Sequence, residues 1–245
     1  MRIYQAYLSG RNDSADPVSI AGMVPRLPYL RRMITRCMPA DRNATILDIG
    51  CGHGAILYAL QQAGYSHARG VDGSAEQVEA AARLGIPGVE QGDLMQVLAG
   101  TPNASLDVVI AFDVIEHFTK AELIPLVDEV HRVLKPSGRW VIHVPNAESP
   151  FGNRVLFGDY THEQAFTRTS LGQLLRSSRF ARVDCFEDSP APHGLKSAIR
   201  ALGWRVIRAA MLAWIAIETG SLDRGAIFSQ NLLAVAFKRK DSITL

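Results

Sequence analysis

An α/β protein built on a mostly parallel sheet is what the sequence predicts, and two observations carry that reading. From Ala44 onward short apolar runs alternate with helical patterns, and a glycine-rich loop stands where the first apolar run gives way to a helix. Seven runs read as strands, at Thr45–Ile49, Ala68–Val71, Gly88–Gln91, Leu106–Phe112, Arg139–Val144, Ala181–Phe186 and Leu232–Phe237. Helices fill the gaps: Ala55–Gln62, then Ser74–Leu84 opened by Ser74-x-x-Gln77, then Thr119–Leu134 opened by Thr119-x-x-Glu122. Pro136-Ser137-Gly138 reads as the turn into the fifth strand. Two stretches fall outside this rhythm. Residues 1–43 carry four prolines around a helical pattern at Tyr29–Cys37 and read as an N-terminal helical cover; residues 44–245 form the main domain, with a helical insertion at about 188–225.

Composition narrows the function classes. The 245 residues are 47% hydrophobic and 20% charged, which suits a globular chain and not a disordered one. Lys+Arg 26 against Asp+Glu 24 leaves +2, too balanced for a protein that neutralises many phosphates, so nucleic acid is not an expected partner. Cys37, Cys51 and Cys185 form no C-x-x-C pair, which disfavours a disulfide framework or thiolate zinc and suits a reducing cytoplasm. Met1–Gln5 is soon followed by Arg11, Asp13 and Asp16, with no signal-peptide core. The longest apolar run, Ala209–Ile217, is nine residues, short of the ~20 a membrane span needs.

Asp48-Ile49-Gly50-Cys51-Gly52-His53-Gly54 follows the first strand and runs straight into a helix. Alternate glycines permit a tight turn and let a ligand lie against bare backbone, facing the N–H groups that open the helix. Gly50-x-Gly52-x-x-Ala55 also satisfies a dinucleotide fingerprint, with Asp72 placed for a ribose in either case. Three features favour a cationic amino-acid ligand instead. Asp48 sits where a carboxylate can hold an ammonium group, Asp93-Leu94 ends the third strand beside a place for an adenine, and Phe112-Asp113-Val114-Ile115-Glu116-His117 is rich in carboxylates.

These residues together resemble a class I S-adenosylmethionine-dependent methyltransferase: Ile46–Gly54 is similar to the family's first motif, and Asp72, Asp93, Leu106–His117 and Val133–Gly138 follow in order. The resemblance implies a Rossmann-like seven-stranded sheet of order 3-2-1-4-5-7-6 with strand 7 antiparallel. It implies that Asp48, Gly50 and Gly52 line the methionine end of the cofactor, that Asp72 holds the ribose, that Asp93 and Leu94 frame the adenine, and that Phe112 lies beneath. A nicotinamide-dependent oxidoreductase and a non-catalytic S-adenosylmethionine-binding protein are the alternatives left open.

Methyl transfer from a sulfonium needs a base only when the acceptor must lose a proton. The segment Val144–Phe166, where this family usually faces its acceptor, holds Phe151, Phe157, Asp159, Tyr160, Thr161, His162 and Glu163. His162 is the preferred base, because an imidazole exchanges protons near neutral pH; Glu116 and His117 complete the catalytic candidates. Asp113-x-x-Glu116-His117 with His162 is also similar to the Glu-x-x-Glu-His and distal His pattern of some metal-dependent O-methyltransferases. Asp113 stands where that pattern has Glu, and the metal-free reading is preferred over Mg, Mn or Zn. The Asn/Asp-Pro-Pro-aromatic motif of the family's base-amine methyltransferases is missing, so O-methylation of a small molecule, secondary metabolite or glycan is expected.

Within the insertion, Leu195, Ile199, Leu202, Val206, Ala209, Ala213 and Ile217 share one helical face, while Lys196, Arg200 and Arg208 lie elsewhere. Packing on the sheet or in a homodimer is the preferred reading of that face, and peripheral membrane contact through 195–217 is the alternative.

Overall fold

Ile46, Leu47 and Ile49 of β1 (Ile46–Ile49) are wholly buried, as are most of β4 (Leu106–Phe112) and β5 (Leu134–Pro145). Strands this apolar on both faces belong at the centre of a parallel sheet covered on two sides. In the computed structural model, which describes residues 19–240, β2 (Ala68–Asp72) and β3 (Val89–Gln91) extend the sheet one way, and β6 (Phe180–Glu187) and β7 (Asn231–Lys238) the other. The order is β3-β2-β1-β4-β5-β7-β6, with β7 antiparallel to both neighbours and the other pairs parallel, as expected from the sequence.

Period-two alternation divides the core. Leu47, Ile49, Val109 and Trp140 face one layer, with Leu126 of α6 (Lys120–Val133) and Leu171 of α8 (Arg168–Ser177). Ile46, Val108 and Ile110 face the other, with Leu30 and Met33 of α2 (Leu27–Cys37) and Leu57 of α3 (Ala55–Gln62). A short α1 (Ile20–Met23) precedes α2, and a short α7 (Gly152–Leu156) lies between β5 and α8. Of residues 1–43, read from the sequence as a cover, the structure describes those from Ser19 on; Met1–Gln5, Arg11, Asp13, Asp16 and Pro17 lie outside the described residues. Both foreseen helix starts are present: Ser74 Oγ accepts from Gln77 N at 3.4 Å before α4 (Ala75–Arg83), and Thr119 with Glu122 forms a reciprocal capping box before α6.

The structure departs from the sequence reading in three places. A helix α5 (Leu94–Gly100) follows β3, opened by Asp93, whose Oδ1 accepts from Gln96 N at 2.9 Å. The Pro136-Ser137-Gly138 turn is a bulge inside β5: Leu134 pairs with Leu106 and Arg139 with Val108, so residues 135–138 loop out opposite Asp107. Lys135 Nζ and Thr45 N converge on Asp107 Oδ2 at 2.7 and 2.8 Å and pin that bulge. Finally, α9 (Leu195–Thr219) buries only Ser197, and its apolar face points outward and not onto the sheet, one of the two places the sequence reading gave it. Among the described residues no helix is long and apolar enough to cross a membrane.

Candidate active site

The carboxyl ends of β1, β2 and β4 meet at one edge of the sheet, and the glycine loop turns there. Gly50, Gly52 and Gly54 all take left-handed conformations, with φ of +70°, +55° and +81°. At Gly50 the requirement is double, because a Cβ would also come within 2.6 Å of Val114 Cγ2. That near contact seats the loop directly against the segment following β4.

Asp72 ties the loop down. Its Oδ2 accepts from Gly52 N at 2.8 Å and its Oδ1 from Ser74 N at 2.9 Å. Asp48 differs: it is fully buried, neither carboxylate oxygen has a hydrogen-bond partner, and burial, with Asp72 nearby, pushes its carboxyl well above the usual range. A buried carboxylate without a partner fits a cationic group of a ligand, the ammonium of an amino acid being one. Asp93 is exposed and caps α5, and Leu94 begins that helix half-buried. Phe112 does not lie open: its ring stacks on His143 at 3.9 Å with the planes 7° apart.

Past β4 the chain makes a tight 3-10 turn at Ile115–His117. Glu116 is 1% exposed, and its backbone oxygen accepts from Glu163 N at 2.8 Å, drawing the loop of residues 151–166 over it. The three sequence-proposed catalytic residues, Glu116, His117 and His162, come together here, with ligand-type atoms within 4.8 Å of one another. His162 donates from Nδ1 to Val155 O at 3.1 Å, so in the neutral form of the ring Nε2 is the bare nitrogen, and it faces Glu116 Oε1, 4.0 Å away. Burial, reinforced by Asp113, raises the Glu116 carboxyl well above its ordinary range. His117 donates to Thr161, whose Oγ1 is 2.9 Å from Nδ1 and itself donates to Asp159 at 2.6 Å; burial and the adjacent His162 lower its affinity for a second proton.

Asp113, the fourth metal-ligand candidate of the sequence, is not in this group. At φ +58° its backbone turns the carboxylate to His143, with Oδ1 2.5 Å from Nδ1. Asp188 Oδ2 lies 3.3 Å from the other ring nitrogen. Burial opposes charge on His143, but the two carboxylates outweigh it and hold the imidazole protonated, up to about 10. Sequence reading missed His143, Asp188 and Tyr29, whose buried hydroxyl lies beside Asp188 and whose ring meets His143 edge-on. The available signal was a histidine inside a fully buried strand, a position that demands polar partners. Asn146 was missed as well: buried at the end of β5, it donates to Ile227 O and Ser229 O at 2.7 and 2.8 Å and anchors the loop.

A family model described as a methyltransferase domain matches residues 25–184. The trans-aconitate 2-methyltransferase of Azoarcus sp. is 38% identical over 119 residues, covering 46% of this chain and 44% of that protein. A probable S-adenosylmethionine-dependent methyltransferase of Mycolicibacterium smegmatis is 30% identical over 160 residues, 63% of this chain and 57% of that one. The matches thus span about half the length of these curated relatives. Among solved structures, that of a SAM-dependent methyltransferase from Archaeoglobus fulgidus aligns over 97% of this chain and 99% of its own, with TM-score 0.65 and 20% identity, a likeness of fold. The matching family model and both curated relatives are methyltransferases, and neither relative is a nicotinamide-dependent oxidoreductase.

Proposed function

Because this chain belongs to the class I S-adenosylmethionine-dependent methyltransferases, we propose that it transfers the methyl group to a hydroxyl of a small molecule or glycan, with His162 as the base. The observation that carries the reading is the bare Nε2 of His162 facing the buried Glu116, on a segment that touches the glycine loop through Val114. S-adenosylmethionine supplies a methyl group already activated on a sulfonium, so the chain's own task is to align the partners, exclude water and accept a proton.

In this reading Asp48 pairs with the cofactor's ammonium beside Gly50 and Gly52, Asp72 takes the ribose hydroxyls, Asp93 and Leu94 frame the adenine, and Phe112 closes the floor. His162 Nε2 takes the acceptor's hydroxyl proton, Val155 O fixes the tautomer, and Glu116, once ionised, strengthens the ring's hold on that proton. Glu116 and His117 position and tune; no metal is invoked, because Asp113 is committed to His143.

The test is labelled methyl transfer to a panel of phenols, sugars, hydroxy acids and carboxylic acids. His162→Ala should lower hydroxyl methylation roughly 10²–10⁴-fold while leaving S-adenosylhomocysteine affinity unchanged. Glu116→Gln should remove one proton's slope from the rising limb of the pH profile, since its carboxyl ionises above the ordinary range. A carboxylate acceptor is the second reading, favoured by the likeness to the trans-aconitate 2-methyltransferase. It needs no base, so its turnover would survive His162→Ala and its ester product would be cleaved by mild alkali.

A further inference from the structure

Helix α9 rests on the protein along one side only. Ser197 is buried and Ala201, Trp204 and Arg208 are half-buried, following one another at helical spacing. Two of them are pinned to Glu187 at the end of β6: Trp204 Nε1 donates to Oε2 at 2.8 Å, and Arg208 Nε to Oε1 at 3.3 Å. At 100° per residue, Leu195, Ile199, Leu202, Val206 and Ile217 fall on the opposite side, and they are exposed by 80, 63, 62, 65 and 85%. Only alanines and Gly203 lie between them on that side. A 25-residue helix is about 37 Å long, so this is an extended apolar stripe turned to solvent.

The charges around the stripe decide what it meets. Lys196 and Arg200 line one flank with the exposed Trp214, and Arg205 lines the other; Glu218 is the sole acid of the helix and stands at its end. Cations on both flanks of an outward apolar stripe, with an indole beside them, complement an anionic interface whose headgroups overlie hydrocarbon. A second copy of the chain would bring a surface with the same cationic excess.

Where the helix is attached matters too. β6 ends and β7 begins at the edge of the sheet that carries the glycine loop, since Asn231 pairs with Pro145 and Leu232 with Glu187. The helix therefore leaves from and returns to the active edge. The loop crossing that edge adds Phe151, Phe157 and Tyr160, exposed by 65, 79 and 91%.

We infer that α9 lies in the plane of an anionic bilayer surface, its outward stripe among the acyl chains, so that the active edge opens beside the membrane. This concerns where the enzyme works and does not depend on which group it methylates. The test is flotation of the full chain with phosphatidylcholine vesicles containing phosphatidylglycerol, and with phosphatidylcholine alone, at low salt. The wild type should float with the anionic vesicles and be released as salt rises. Lys196→Gln/Arg200→Gln/Arg205→Gln should weaken that partition roughly 100-fold, at about fivefold per charge. Leu202→Gln/Val206→Gln should abolish it with thermal stability and S-adenosylhomocysteine affinity unchanged, because neither side chain is part of the core. Light scattering of the same samples gives the opposing result: a stable dimer that Leu202→Gln/Val206→Gln splits, without vesicle binding, overturns the inference in favour of a second copy. A wild type that ignores anionic vesicles at low salt overturns it outright.

Discussion

The two sides of the active edge are put together differently. On the β1–β3 side, partners are close in sequence: Asp72 holds Ser74 two residues on and Gly52 twenty residues back. On the β4–β5 side, His117 reaches Thr161 across 44 residues, and His143 reaches Asp113 across 30 and Asp188 across 45. The first side is a short strand-loop-helix-strand unit whose geometry follows from its own residues. The second exists only once the sheet is complete. A cofactor shared by a whole family suits the former; an acceptor that varies between relatives suits a surface assembled from separable loops.

The contrast can be broken most severely at Gly50, the one glycine among the described residues that joins the two sides. Gly50→Ala should cost about 1–3 kcal/mol of stability, from left-handed strain and the contact with Val114, and should weaken S-adenosylhomocysteine binding at least tenfold. An intact melting temperature together with intact affinity would show that the loop tolerates what its geometry forbids.

At Asp48 the effect falls on binding alone, without the loss of stability expected at Gly50. Asp48→Asn should weaken S-adenosylhomocysteine by about 1.5–3 kcal/mol, the scale of a hydrogen bond to a charged group. The sign with pH follows from its raised carboxyl: the free protein holds a proton that the ammonium-bound form gives up, so affinity rises with pH until Asp48 is ionised in the free protein too. Calorimetry in buffers of different ionisation enthalpy should register proton release in the wild type and none in the variant. Equal proton traffic in both would remove Asp48 from the ammonium.

The smallest effect belongs to the other side. His143 is held up at about 10, above its ordinary 6.5, so its pairing with Asp113 and Asp188 stabilises the fold fully below about 6.5 and is lost as pH rises through about 10. Asp113→Asn, which keeps a residue tolerant of φ +58°, should cost about 1 kcal/mol after allowance for the half-exposed carboxylate, or about 2–4 °C in melting temperature. The gap from wild type should narrow as pH climbs toward 10. A constant gap across that range would mean that charge on His143 contributes nothing.

Legibility followed the same division. The glycine loop, Asp48 and Asp72 could be read because strand, turn and helix each leave a local signature, and the sheet order followed from the family they implied. Glu116, His117 and His162 could be gathered as types, but not the tautomer that Val155 O imposes on His162. His143 was hidden because Trp140–Val144 reads as an ordinary buried strand, and its partners lie in separate elements. In the insertion, the apolar face of α9 was plain from spacing alone. Which side turns to the protein was not, because Glu187, which sets it through Trp204 and Arg208, precedes the helix and carries no hint of its partners.

β7 lies between β5 and β6, yet the ribosome makes it after both, with all of residues 188–230 intervening. Through that interval β5, with Trp140 and Val141 destined for full burial, has an open edge and no neighbour on that side. β6 has no strand to pair with at all. An unfilled slot between two strands invites pairing with another nascent chain. Synthesis of α9 lengthens the wait, and its sticky stripe emerges at the same moment, so the yield of folded protein should depend on translation speed and chaperone supply across that stretch.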